Sequence, residues 1–127
     1  MKYVDGFVLV VKKGKLKEYT KMAKEAGEVW KKYGALEYFE CIGDDLNPKM
    51  GGMKALMFPK MTKAKKDETI LFSFIIYKSK QHRNQVNAKV MKEMRKHAEE
   101  CKDSFKNIMD MNKFAYGGFK TIVEERK

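Results

Sequence analysis

Residues 67–91 read DETILFSFIIYKSKQHRNQVNAKVM, and this stretch decides the fold. Asp67 and Glu68 open it. Thr69 to Tyr77 follow as a run of β-branched and aromatic residues, far shorter than the roughly 20 residues a membrane-spanning helix needs. Such a run fits a central strand buried on both faces. Ser79 then predicts a helix N-cap, because its hydroxyl can accept from the free amides of a first turn. Val86, Val90, Met91 and Met94 recur at near-helical spacing and give that helix its inner stripe.

Upstream, residues 2–11 (KYVDGFVLVV) predict a first strand. Tyr3, Phe7, Leu9 and Val11 point one way and Val4, Val8 and Val10 the other. Residues 15–33 place Leu16, Tyr19, Ala23, Ala26, Trp30 and Tyr33 on one helical stripe, with lysines largely opposite, and Gly34 reads as its left-handed end. Residues 35–43 (ALEYFECIG) predict a second strand, with Leu36, Tyr38, Glu40 and Ile42 on one face. Asn47-Pro48 and Gly51-Gly52 mark a loop. Met53, Leu56, Met57 and Phe58 read as a short edge strand stopped by Pro59, and Lys60–Lys66 as an exposed basic segment. Downstream, the second helix fades between Met94 and Cys101. Residues 102–113 read as a short helix with Phe105, Ile108 and Met109 inward. The final segment, FAYGGFKTIVEERK, reads as a last strand. Its Gly117-Gly118 pair asks for a bulge or a close backbone approach.

The order β-α-β-(loop)-β-α-β places residues 1–127 in one α+β domain. The arrangement is ferredoxin-like: a four-stranded antiparallel sheet with helices on one face. Three strands are apolar on both faces, and two main helices cover only one of them. A second copy packed sheet to sheet is the economical cover. The sequence therefore predicts a homodimer burying on the order of 1,600 Å² or more.

Composition narrows the classes of function. Apolar residues make up 43% and aromatics 12%, which describes a globular protein. The N-terminal MKYVDGFVLVVKK is interrupted by Asp5 and Gly6 and has no small-residue cleavage site, so the expected location is the cytoplasm, with no membrane partner. Cys41 and Cys101 lie in no C-x-x-C pair and read as free thiols in or near the core. The net charge is +11, from 28 Lys+Arg against 17 Asp+Glu. The lysines are scattered, however, and arginine occurs only at Arg83, Arg95 and Arg126. A solvated basic surface is favoured over an RNA- or DNA-binding footprint. Phosphate-loop, dinucleotide and zinc-protease motifs are absent, so no cofactor is expected.

Within this frame, DETILFSFIIYKSKQHRNQVNAKVM, with GALEYFECIGDD upstream, KAKKDET leading in and YGGF near the end, resembles the DUF1428 (YbaA-like) family of uncharacterised proteins. The resemblance implies membership of the dimeric α/β-barrel superfamily of ferredoxin-like proteins. It implies the same fold and dimer, and no established chemistry. Related branches include cofactor-free monooxygenases, haem-degrading enzymes and small-ring isomerases, an analogy of fold alone. Lys80 stands where that family usually has arginine, Asn84 where it has aspartate and Phe74 where it has tryptophan.

Three side chains carry the candidate chemistry. His82, in the first turn after Ser79, is a candidate acid or base. Its structural alternative is a capping histidine. Arg83 beside it can grip a carboxylate with two N–H groups or pair with an acidic residue. Asp5 sits on a strand with two apolar faces, so it needs a partner, and Tyr3 or Tyr116 can serve. Asn87 lies four residues past Arg83 and shares its face. Glu37, Glu40, Asp44 and Asp45 read as partners for lysines, with no metal site expected. A small-molecule pocket between sheet and helices is expected, lined by Phe7, Tyr38, Phe72, Phe74 and Tyr116, with His82 and Arg83 at its rim. Cofactor-free oxidation or isomerisation of an aromatic or enolic substrate suits such a pocket. A structural or regulatory dimer without ligand is the remaining alternative.

Overall fold

A computed structural model of the protein describes residues 1–49, 51–96 and 107–127. It contains strands β1 (Tyr3–Lys12), β2 (Glu37–Ile42), β3 (Glu68–Tyr77) and β4 (Ala115–Lys120), and helices α1 (Leu16–Lys32), α2 (Phe58–Thr62) and α3 (Lys80–Arg95). The strands form one antiparallel sheet in the order β2-β3-β1-β4. This is the α+β, ferredoxin-like order expected from the sequence, and the run that predicted a central strand is central. Among the described residues, no helix is long and apolar enough to cross a membrane.

Register fixes which side chains share a face. Tyr3 pairs with Tyr77, Asp5 with Ile75 and Gly118, Phe7 with Ser73 and Tyr116, and Leu9 with Leu71. Because side chains alternate, these residues all face α1 and α3. Two apolar clusters hold the layers together. Leu9, Val11 and Leu71 pack with Tyr19 and Ala23 of α1 and with Ile108 and Met109. Tyr3, Ile75 and Tyr77 pack with Ala35 and with Val86 and Val90 of α3. Each valine or isoleucine so buried contributes about 1.5–3 kcal/mol.

The helix ends follow their sequence signals. The backbone N–H of His82 donates to the Ser79 hydroxyl at 3.0 Å, the cap expected there. Gly34, at φ +113°, ends α1 in a conformation that other residues adopt only with strain. Glu93 ties the two helices together, accepting from Lys32 Nζ at 2.7 Å and from the Tyr33 hydroxyl at 2.9 Å.

Three expectations are corrected. Residues 53–58 form no strand. Phe58–Thr62 is instead a short helix with Pro59 in its first turn, where a missing N–H costs nothing because first-turn amides have no intrahelical partner. Lys63, at φ 57°, closes it. Cys41 is exposed rather than near the core. It pairs with Phe72 on the sheet face away from α1 and α3. Residues 109–113 do not continue a helix: Met109 bridges to Val11 and Met111–Lys113 is a single 3-10 turn, while Ile108 and Met109 are buried as expected. Phe105, His97 and Cys101 lie outside the described residues.

The sheet face away from α1 and α3 carries Val4, Val8, Phe39, Phe72, Phe74, Ile76 and Phe119. Phe39 stacks on Phe74 with ring centroids 4.9 Å apart, and Phe58 of α2 meets the edge of Phe72 at 6.5 Å. Phe39, Phe72 and Phe119 are nevertheless 45%, 47% and 62% exposed.

Candidate functional site

Strand alternation turns Asp5 toward the helices, and only 1% of it is exposed. An isolated carboxylate is very costly to bury, and α3 supplies its company. Arg83 and Asn87, one helical turn apart, both reach down to it. Arg83 Nε lies 3.5 Å from Asp5 Oδ1, and Asn87 Nδ2 donates to Asp5 Oδ2 at 3.3 Å. The Asn87 carbonyl oxygen accepts from the Tyr77 hydroxyl at 2.9 Å and from Trp30 Nε1 at 3.1 Å. Two donors on that oxygen fix the amide so that its N–H points at Asp5.

The guanidinium is held along its other edges. Arg83 Nη2 donates to the Tyr3 hydroxyl at 3.0 Å and Nη1 to the Tyr116 hydroxyl at 3.5 Å. Its carbon lies 5.0 Å from the centre of the Tyr3 ring, within cation–π range. Phe7 stacks on Tyr116 with ring centroids 4.7 Å apart. Gly118, opposite Asp5 on β4, completes the wall. A Cβ there would overlap the Tyr3 hydroxyl and come within 2.7 Å of Arg83 Nη2. The glycine pair thus serves a close approach, and the register runs through it without a bulge.

The cluster has one unfinished feature. Asp5 Oδ1 and Arg83 Nε are both buried, and neither has a hydrogen-bond partner among the described residues. They attract as charges, but their 3.5 Å approach is not aligned for an N–H···O bond. Burial works against the Arg83 charge, yet the bond to Tyr3 and the field of Asp5 outweigh it and raise its pKa. Burial, joined by the field of Asp5, pushes the Tyr77 phenol well above its usual range. It raises Tyr116 too, with Arg83 pulling the other way.

The sheet thus brings together Asp5, Arg83, Asn87, Phe7 and Tyr116 among the residues singled out in the sequence. His82 is placed apart. Its Nδ1 accepts from the Lys78 N–H at 3.0 Å, its ring packs edge-on with that of Tyr77, and its Nε2 is turned toward Gly34. Phe72 and Phe74 cannot line a pocket between sheet and helices, because alternation puts them on the opposite face while Ser73 and Ile75 face inward. Tyr38 belongs to a second cluster under α1, packed against Gly27 and Trp30.

That second cluster surrounds Glu40, and hydroxyls rather than lysines are its partners. Tyr19 donates to Oε2 at 2.7 Å, Tyr38 to Oε1 at 2.8 Å, and the Ser73 hydroxyl to Oε2. Burial and then the negative charge of Glu40 drive the Tyr19 and Tyr38 phenols far above their usual pKa. On the outer face of α1, the exposed Lys17, Lys21 and Lys24 are interleaved with Glu18, Glu25 and Glu28, so its charge is mixed.

Tyr77, Trp30 and Gly118 join the Asp5 cluster without having been singled out for it. Trp30 carried a signal, since an indole N–H on a core-facing stripe needs an acceptor.

Comparison with known proteins places the chain among relatives that have no assigned activity. The family described as "Protein of unknown function (DUF1428)" matches residues 2–107. The uncharacterised protein YbaA of Escherichia coli K12 is 37% identical over 125 residues, covering 98% of this chain and all of that protein. The YbaA of Shigella flexneri is similar to the same extent.

Proposed function

The chain belongs to the DUF1428 family, and from the geometry of its buried cluster we propose that it is a cytoplasmic homodimer binding a small polar molecule at Asp5 and Arg83. One observation carries the proposal. Asp5 Oδ1 and Arg83 Nε lie side by side, buried and unbonded among the described residues. Leaving a buried charged acceptor or donor unbonded costs about 1–3 kcal/mol or more, and such a cost persists at sites that serve binding or catalysis. Tyr116 and Phe7 offer a bound ring a stacking partner beside that pair. Entry is from the β4 edge, where Tyr116 and Gly118 are exposed.

The chemistry the site offers is proton transfer next to a carbonyl or enol. Asp5 takes the proton from the carbon beside the carbonyl and returns it to the far carbon of the enol, while Arg83 and the Tyr3 and Tyr116 phenols stabilise the oxygen on which charge collects. Isomerisation of such a substrate needs no cofactor. His82 is too committed to the Lys78 backbone to be the first choice as base.

Amide NMR during titration with a library of small hydroxylated and carbonyl fragments tests the site. The expected shifts centre on Asp5, Arg83, Tyr116 and Gly118. Saturable shifts confined to other parts of the molecule would contradict it. The apolar outer face supports the dimer, packed sheet to sheet. Native mass spectrometry should give twice the 14.9 kDa chain mass, and a monomer at micromolar concentration would contradict it.

A further inference from the structure

We infer that the ligand of this site is an uncharged molecule that presents a hydroxyl or enol O–H between Asp5 Oδ1 and Arg83 Nε, and not a carboxylate or a phosphate. The inference rests on the proposed binding role and names the class of molecule. Three observations support it.

The first is charge. Asp5 and Arg83 neutralise one another, and at 1% exposure Asp5 is shielded from solvent. An anion placed against Arg83 Nε also meets the Asp5 carboxylate, whose Oδ1 is only 3.5 Å from that nitrogen, and in a poorly screened site that repulsion is large. A cation placed against Asp5 meets Arg83 in the same way. A neutral group meets neither penalty.

The second is the way the guanidinium is already used. A carboxylate or phosphate is gripped by two parallel N–H groups on one edge of the fork. Here Nη2 is committed to Tyr3, Nη1 points at Tyr116, and Nε is turned toward Asp5. Two of its five N–H groups are engaged, and the edge that carries Nε faces the Asp5 carboxylate, so an anion gripped along that edge would lie against Asp5.

The third is the geometry of the unbonded pair. An acceptor and a donor 3.5 Å apart are bridged by one oxygen at about 2.8 Å from each, a normal hydrogen-bond length to charged groups. That oxygen must donate to Asp5 and accept from Arg83, which a hydroxyl does and a carboxylate, ether or ammonium does not. Tyr116 is 49% exposed and joined to Arg83 by a 3.5 Å contact. It is the lightest cover to lift, and its ring, already stacked on Phe7, extends the preference to a planar, aromatic or conjugated body beside the O–H.

Three one-ring probes of matched size separate the alternatives: phenol, benzoate and benzylammonium, each titrated into the intact protein while the Arg83 Nε–H and the Gly118 amide are followed by NMR. Phenol is expected to bind at least tenfold more tightly than either ion and to shift both signals. Asp5→Asn should weaken phenol about tenfold, as loss of a charge-assisted hydrogen bond predicts. Benzoate binding more tightly at the same signals would overturn the ligand class while leaving the site standing. Phenol binding there unaffected by Asp5→Asn would overturn the bridging role. If none of the three moves either signal, and a high-resolution structure shows a water fixed between Asp5 and Arg83, both the class and the binding role fall.

Discussion

Two carboxylates lie under the helices of this sheet, and they are treated in opposite ways. Glu40 is surrounded by the hydroxyls of Tyr19, Tyr38 and Ser73, which approach both of its oxygens. Asp5 is the more deeply buried, yet among the described residues only its Oδ2 is hydrogen-bonded, and Oδ1 faces an Arg83 Nε that is unbonded there too. A buried polar network with every member paired makes the core rigid and unique. One left half-paired weakens the fold unless another molecule completes it. The contrast teaches that burial of a charge does not by itself mark a site; the unspent bonding capacity does.

The largest expected effect breaks the Glu40 side of the comparison. Glu40→Ala removes the common acceptor of three hydroxyls, two of them on the buried Tyr19 and Ser73. A loss of about 3 kcal/mol is expected, seen as a drop in Tm of roughly 10 °C. Binding at Asp5 should be unchanged for the fraction still folded. A Tm within a degree or two of wild type would remove the structural role of Glu40.

Next in size is Gly118→Ala. The added methyl collides with Tyr3 and Arg83, and such overpacking costs about 1–3 kcal/mol. Calorimetry should show Tm lower by roughly 5 °C. The sharper readout is phenol binding, which should be lost, because the displaced guanidinium no longer faces Asp5 Oδ1.

The smallest effect is in alkali and compares the two phenol groups directly. Tyr19 and Tyr38 are raised far above the ordinary value of 10.0 by burial and by Glu40. A group whose pKa is raised by folding contributes stability that is present below its unfolded pKa and lost as pH rises past it. Stability should therefore decline once pH exceeds about 10, and these two phenols should ionise only as the chain unfolds. Tyr116 is half exposed and is pulled down by Arg83 while burial and Asp5 raise it. Its ring carbon signal should move in the folded protein before theirs do. Simultaneous ionisation would show that the two clusters do not differ in solvent access.

Much of this fold is written locally. The run from Thr69 to Tyr77, the Ser79 cap and Gly34 after the α1 stripe are short-range signals, and each reads true because its cause lies within a few residues. Pro59 misled because proline both ends strands and starts helices, and only the turn it sits in decides which. Asp5 stood out as a carboxylate on an apolar strand, and Arg83 with Asn87 as a polar pair one turn apart. What brought them together is the β1–β3–β4 register, which joins residues 56–74 positions apart between β1 and β3 and 107–117 apart between β1 and β4. No local pattern encodes that contact. Phe72 and Phe74 went astray for the complementary reason: on a strand apolar on both faces, composition does not say which face the helices cover. Glu40 lay visibly on the same face as Leu36, Tyr38 and Ile42. Of the three hydroxyls that reach it only Tyr38 is a neighbour in sequence; Tyr19 and Ser73 come from other elements, and nothing around Glu40 signals them.

The most direct measurement is the melting temperature of the double variant Asp5→Asn/Arg83→Gln, which removes both charges of the pair at once, beside that of Glu40→Gln, in the same buffer without ligand. If the Asp5–Arg83 pair is kept for binding and Glu40 for structure, the double variant melts within about 2 °C of wild type or above it, because neither charge is left buried alone, and Glu40→Gln melts lower by about 5 °C or more. A double variant that loses as much stability as Glu40→Gln would contradict this, and would make the Asp5–Arg83 pair a structural staple like its neighbour.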